Sequence, residues 1–177
     1  MPDFLELGEL SDLTASLVVG HSGNYVSDMG TSKGLGNAAD FALLKHLRSR
    51  SQVVLTSGLT ARLEQYKMPS TADLAILSRS GGFVPEVSDG REVIQLGEQA
   101  GYFEATAALR ELGYDRIHTE FGAAGFTQLA RQAEVDCILS SNTDAGLQAF
   151  CEQQSLAMIN LISLPELFIA RVRSVAR

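Results

Sequence analysis

Apolar residues fall along this chain in short, nearly unbroken runs separated by stretches of helical period, and that alternation is its main structural signal. Residues 13–20 (LTASLVVG) have a β-branched core, end at a glycine and read as a first strand. Residues 52–56 (QVVLT) and 73–78 (DLAILS) are almost wholly apolar, as in strands buried on both faces of a parallel sheet. Shorter runs at 92–96 (EVIQL), 116–120 (RIHTE) and 136–140 (DCILS) predict three more strands. Between the first two strands Ala38, Phe41, Leu44 and Leu47 recur at helical spacing, with Asn37 as cap, Asp40 at the third position and a basic end, KHLRSR, suited to a helix C-terminus. Residues 57–66 turn, with room for a short helix. Residues 102–112 predict a helix that stops at Gly113, and 126–133 predict another. Beyond residue 140 two apolar segments, 158–162 and 167–175, read as strands separated by SLPE, and no helix is expected there. Alternating strands and helices predict an α/β domain with a mostly parallel central sheet. The strand-rich end predicts an antiparallel edge.

The chain has 177 residues, the size of one domain, with the acidic residues 1–12 as a peripheral arm. Its net charge is −7, which argues against nucleic acid and anionic membrane as partners, since both reward a basic face. A small anionic cofactor is still compatible, because backbone amides and one or two local arginines can hold phosphate within an acidic protein. Cys137 and Cys151 form no CxxC and have no histidine cluster around them, so two reduced, buried thiols in a cytoplasmic protein are expected. The first twelve residues lack the basic and apolar regions of a signal peptide, and the longest apolar run is interrupted by polar residues. Neither a leader nor a membrane span is expected. His46 and His118 lack metal-ligand spacing and are expected to be structural, with no metal.

Four segments could carry chemistry. Glu120-Phe121-Gly122-Ala123-Ala124-Gly125 lies between a strand and a helix; its small residues either admit a diphosphate to backbone amides or make a tight packing turn. Ser57-Gly58-Leu59-Thr60-Ala61-Arg62 follows the second strand, at the end where ligands bind in open α/β sheets. There Thr60 either bonds phosphate or caps the turn, and Arg62 either offers a forked donor set or is a solvated charge. Ser78-Arg79-Ser80 follows the third strand and places two hydroxyls around a guanidinium, which suits a phosphate monoester or a plain polar turn. The long Gly-, Ser- and Asn-rich loop 21–36 holds His21, Ser22, Asn24, Ser32 and Lys33, and a loop of that length is the natural place for substrate contacts.

The order of these segments resembles the dihydrofolate-reductase-like fold, a three-layer sandwich. Within it the chain is most similar to the C-terminal pyrimidine reductase domain of riboflavin biosynthesis and its stand-alone relatives. The family pattern of Ser-x-Asp-Gly, Ser-Lys, a helix ending in Leu-Arg, Gly-x-Gly-Thr-x-Arg and Glu-Gly-Gly is matched here by Gly20-His21-Ser22-Gly23, Thr31-Ser32-Lys33, KHLRSRSQVVLTSGLTAR and Thr119-Glu120-Phe121-Gly122. The resemblance implies NADPH binding and hydride transfer to a small heterocyclic or ribitylated pyrimidine substrate, an activity like that of 5-amino-6-(5-phosphoribosylamino)uracil reductase. It also implies a homodimer. Carried over by residue, Ser57, Gly58, Thr60, Arg62, Ser78, Arg79, Ser80, Glu120, Phe121, Gly122, Ala123 and Gly125 form the cofactor site. His21, Ser22, Asn24, Ser32 and Lys33 face substrate, and no catalytic residue is assigned. Three positions depart from the pattern: Ser22 stands for the acid, Leu59 for a glycine and Phe121 for a glycine. They leave open a non-catalytic relative that binds a ligand or a partner on the same scaffold.

Overall fold

The structure is a computed structural model that describes residues 4–78, 85, 90–97 and 101–175. Eight strands make one sheet: β1 (Leu13–Val19), β2 (Val53–Ser57), β3 (Asp73–Leu77), β4 (Ile94–Leu96), β5 (Ile117–Glu120), β6 (Val135–Ser141), β7 (Leu156–Leu164) and β8 (Leu167–Ser174). Their order is β4-β3-β2-β5-β1-β6-β8-β7. The first six are parallel, and the β7–β8 hairpin closes one edge antiparallel, as the sequence predicts. The helices are α1 (Ala38–Ser49), α2 (Gly58–Leu63), α3 (Tyr102–Glu111), α4 (Ala123–Leu129) and α5 (Asp144–Gln154). None is long and apolar enough to cross a membrane.

Four expectations are corrected. The C-terminal part contains a helix, α5, where none was expected. Thr143 caps it, its hydroxyl accepting from the Gly146 N–H at 3.2 Å, and Leu147, Phe150 and Cys151 form its buried stripe. The α4 helix begins at Ala123, three residues before the expected start, because Gly122 supplies the turn into it at φ 77°. In α1 the buried face is Leu43 and Leu47; Phe41 is 54% exposed and lies under the Lys45 ammonium instead. Helical spacing set the period there, and packing against Ile138 and Ile169 set the phase. The expected arm is partly core: Phe4 and Leu7 are buried with that same cluster.

The two faces of the sheet differ. On one, α3, α4 and α5 cover a single continuous core from Leu55 and Ala75 across to Cys137 and Val172. On the other, α1 covers one apolar cluster and α2 covers a second, built from Val54, Ala61, Leu74 and Ile76. A polar seam separates those two. It carries Thr14 and Ser16 of β1, His118 and Glu120 of β5, and Thr56 of β2, which donates to the Glu120 carbonyl at 2.7 Å. Arg48 of α1 grips the Glu120 carboxylate with two hydrogen bonds of 2.8 Å, and Tyr66, beyond α2, donates to the same group. Burial alone would raise the Glu120 pKa, but the Arg48 charge and hydrogen bonds, with His118 and Tyr66, hold it below the ordinary carboxyl value. Burial pushes His118 down to about 4; the Glu120 charge opposes this and the Arg48 charge adds to it.

Two predictions follow from this packing. Leu43→Ala should lower stability by about 2–5 kcal/mol in urea unfolding, and Phe41→Ala by less than about 1 kcal/mol; the reverse order would show the α1 phase to be wrong. The seam should also make stability depend on pH. An unfolded His118 binds a proton near its ordinary value while the folded one does not until about 4, so stability is fully present above 6.5 and declines as pH falls toward about 4. Glu120 adds a further loss below the ordinary carboxyl range, as pH falls through its lowered value. A urea midpoint that stays flat from pH 7 to 4.5 would contradict this reading of the seam.

Candidate functional site

The sheet opens at its centre. β1 stays paired with β6 along its whole length, to Val19↔Ser141, but its pairing with β5 ends at Ala15↔Thr119. Above that point Ser16, Leu17 and Val18 are half-buried, although β1 is an interior strand. The strand ends around this parting are carboxyl ends, the side of a parallel sheet that takes ligands. The connection leaving β1 runs to α1 on one face, and the connection leaving β5 runs to α4 on the other, so neither helix closes the gap. Two hollows elsewhere, one bordered by Ser11, Thr14, Arg50 and Arg116 and one by Arg131, Gln154 and Arg173, lie at the opposite end of the sheet. The site is thus an open crevice.

The predicted cofactor segments meet at this edge. A Cβ on Gly58 would lie 2.6 Å from Ser78 Oγ, so the β2 and β3 ends touch, and the Arg62 guanidinium turns back to within 3.4 Å of the same point. A Cβ on Gly122 would have Thr60 Oγ1 as its nearest neighbour, at 3.9 Å, so the loop after β5 faces the start of α2 across open space. Ser57, not Thr60, is the cap of α2: its hydroxyl accepts from the Thr60 N–H at 3.0 Å, and it donates to Thr60 Oγ1 at 2.8 Å. Arg79 and Ser80 lie outside the described residues. Phe121 is 6% exposed and packs on Tyr102 with ring centroids 4.6 Å apart, which keeps its ring out of the space before Gly122. Gly125 makes that possible, since a Cβ there would meet the Phe121 side chain at 2.3 Å. Ala123 is buried at the start of α4. The Glu120 carboxylate points into the seam, committed to Arg48 and Tyr66.

The predicted substrate residues fall into two groups. His21, Ser22 and Asn24 sit beside α5: His21 Nδ1 is 3.4 Å from Thr143 Oγ1, Gln153 donates to the Ser22 carbonyl at 3.1 Å, and Ser22 donates to Asn24 at 2.9 Å. Ser32 lies by α2, its N–H donating to Glu64 at 2.6 Å, and Lys33 is exposed next to it. The loop thus bridges the top of the sheet from one face to the other. Sequence reasoning missed a pair beneath it. Asp40 of α1 accepts from Ser140 of β6 at 2.5 Å, and burial raises its pKa more than that hydrogen bond lowers it. Asp40 looks like an ordinary first-turn acid; only the fold brings Ser140 to it.

No protein-family model matches the chain, and no curated protein matches it by sequence. Solved structures do. A pyrimidine reductase-like protein from Corynebacterium diphtheriae is 19% identical, with 99% of this chain and 96% of that one covered at a TM-score of 0.67. A Thermotoga maritima diaminohydroxyphosphoribosylaminopyrimidine deaminase/5-amino-6-(5-phosphoribosylamino)uracil reductase is 16% identical at a TM-score of 0.69; the match takes in 97% of this chain and 58% of that one. The riboflavin biosynthesis reductase of Saccharomyces cerevisiae is 10% identical at 0.55, over 97% and 92%. In its parallel sheet, antiparallel closing hairpin and full-length superposition, the chain has the dihydrofolate-reductase-like fold of pyrimidine reductase-like proteins.

Proposed function

We propose that the chain is an NADPH-dependent reductase of a small heterocyclic or ribitylated pyrimidine substrate, similar in activity to 5-amino-6-(5-phosphoribosylamino)uracil reductase. The observation that carries this reading is the meeting of the β2, β3 and β5 ends beside the parted β1. The space between Thr60 and Gly122 fits a diphosphate: glycine leaves it open, Arg62 stands nearby, and the adjacent acid Glu120 is turned away and matched by Arg48. When bound, NADPH supplies the hydride. Ser57, Gly58, Thr60, Arg62, Gly122 and Ala123 hold and orient it, and Ser78 supports the neighbouring end of β3. The loop carrying His21, Ser22, Asn24, Ser32 and Lys33 shields the substrate from water. Two buried free thiols suit the reducing cytoplasm.

We also propose that β7 pairs with a second copy. This outer strand, LAMINLISL, has no charged residue and leaves Met158, Ile159 and Leu161 exposed. A long apolar edge without charges invites pairing.

Calorimetry should show NADPH binding, weakened about tenfold or more by Arg62→Ala and abolished by Gly122→Val, which fills the space and strains a φ of 77°. Absence of binding at millimolar NADPH would sink the reading. Sedimentation should show a dimer that Ile159→Lys converts to monomer; a wild-type monomer at high concentration would refute the pairing.

A further inference from the structure

The hollow at the amino end of the sheet belongs neither to the cofactor segments nor to the substrate loop. About 320 Å³ in volume, it lies where β1 and β5 begin, beside the last turn of α1. Its base is apolar: Leu47 and Ile117 are buried there, and Leu10 is half-buried at its side. Its rim carries two exposed arginines, Arg50 and Arg116, and one exposed acid, Asp12.

In this acidic chain Arg48, Arg91 and Arg171 each stand near a carboxylate, at 2.8, 3.7 and 3.4 Å. Arg50 and Arg116 pair with no acid among the described residues. Arg116 spends only its Nε proton, on the Arg50 carbonyl at 3.1 Å. That bond holds the guanidinium in place and offsets one of the carbonyls that end α1. Both NH2 groups of Arg116 are left over, and the Arg50 guanidinium has no hydrogen-bond acceptor among the described residues. The serines of the hollow add no donors. Ser11, Ser49 and Ser51 give their hydroxyl protons to the carbonyls of Leu13, His46 and Arg48, at 2.7, 2.8 and 2.8 Å. Arg48 is not a third cation here, since Glu120 holds it in the seam. Two guanidiniums against one carboxylate therefore leave one positive charge above an apolar base.

We infer that this hollow is a second ligand site, for a small monocarboxylate with an apolar body. The guanidiniums of Arg50 and Arg116 donate to the carboxylate, and the apolar body covers Leu10, Leu47 and Ile117. One carboxylate matches the net charge of the rim. A dianionic phosphate monoester would bring a surplus negative charge beside Asp12, and a neutral ligand of the same shape would gain the apolar contact alone. The site lies at the far end of the sheet from the cofactor segments, so it stands or falls independently of the reductase reading.

Four probes test this in nitrogen-15 NMR titrations of the full chain: benzoate, benzyl alcohol, acetate and phenyl phosphate. Benzoate should saturate at millimolar concentration and move the amides of Ser49, Arg50, Ser51, Arg116 and Ile117, leaving residues 58–62 and 122 in place. Benzyl alcohol, without the charge, should bind about tenfold more weakly, and acetate, without the ring, about fivefold more weakly. Phenyl phosphate should bind no tighter than benzoate. Arg50→Gln and Arg116→Gln should each weaken benzoate about fivefold or more, and Arg50→Lys, which keeps the charge, should recover part of that loss. No benzoate binding at millimolar concentration, equal affinity for benzoate and benzyl alcohol, tighter binding of phenyl phosphate, or benzoate shifts centred on residues 58–62 would each overturn the inference. The comparison among probes uses the unaltered chain, so it decides the question even where a variant fails to fold.

Discussion

Glu120 is the residue on which the arrangement around the site turns. Its carboxylate closes β5, receives two hydrogen bonds from α1 through Arg48, and receives a third from Tyr66 beyond α2. Its carbonyl accepts from Thr56 of β2. One buried anion therefore joins two central strands to the two elements that flank the crevice. Removing Arg48 alone would leave the Glu120 charge buried without its match, a cost of about 3–5 kcal/mol. The residue stands directly before Phe121 and Gly122, so the same contact fixes where the open loop begins.

The contrast between the two faces follows from this. Under α3, α4 and α5 the apolar core is continuous, with Thr106 and Thr119 buried at its border, and Phe121 adds to it by turning inward against Tyr102. Under α1 and α2 the core is split, and the split is polar. A seam of hydroxyls, imidazole and carboxylate cannot be sealed by apolar side chains without losing its hydrogen bonds. The fold keeps it satisfied from within at its lower end and open at its upper end, where β1 leaves β5. A continuous core on one face and a polar crevice on the other thus coexist in one sheet.

Much of the fold was legible in the chain. The short apolar runs marked β1 to β6 because buried parallel strands tolerate little else. Asn37 marked the start of α1, and its side chain does accept from Ala39 and Asp40. The α5 helix was signalled by Thr143 and by Leu147, Phe150 and Cys151 at helical spacing, but Gly146 in its first turn and the polar residues around it concealed the pattern. For the site, the sequence brought out Ser57, Gly58, Thr60, Arg62 and Gly122 through small and hydroxyl residues at strand ends, and those segments do meet. Arg48, Tyr66, Asp40, Ser140, Ser16 and His118 were not legible as a site, since each alone is an ordinary helix, turn or strand residue.

The sequence by itself determined the period of the elements, their order and the loops at strand ends, because hydrophobic spacing and turn chemistry act over a few neighbouring residues. Only the tertiary structure decided which face of α1 is buried, which way Phe121 turns, where β1 parts from β5, and that residues 48, 66 and 120 share one charge. These are long-range choices. They depend on which side chains from distant segments compete for the same space and the same hydrogen bonds, and no local pattern records that competition.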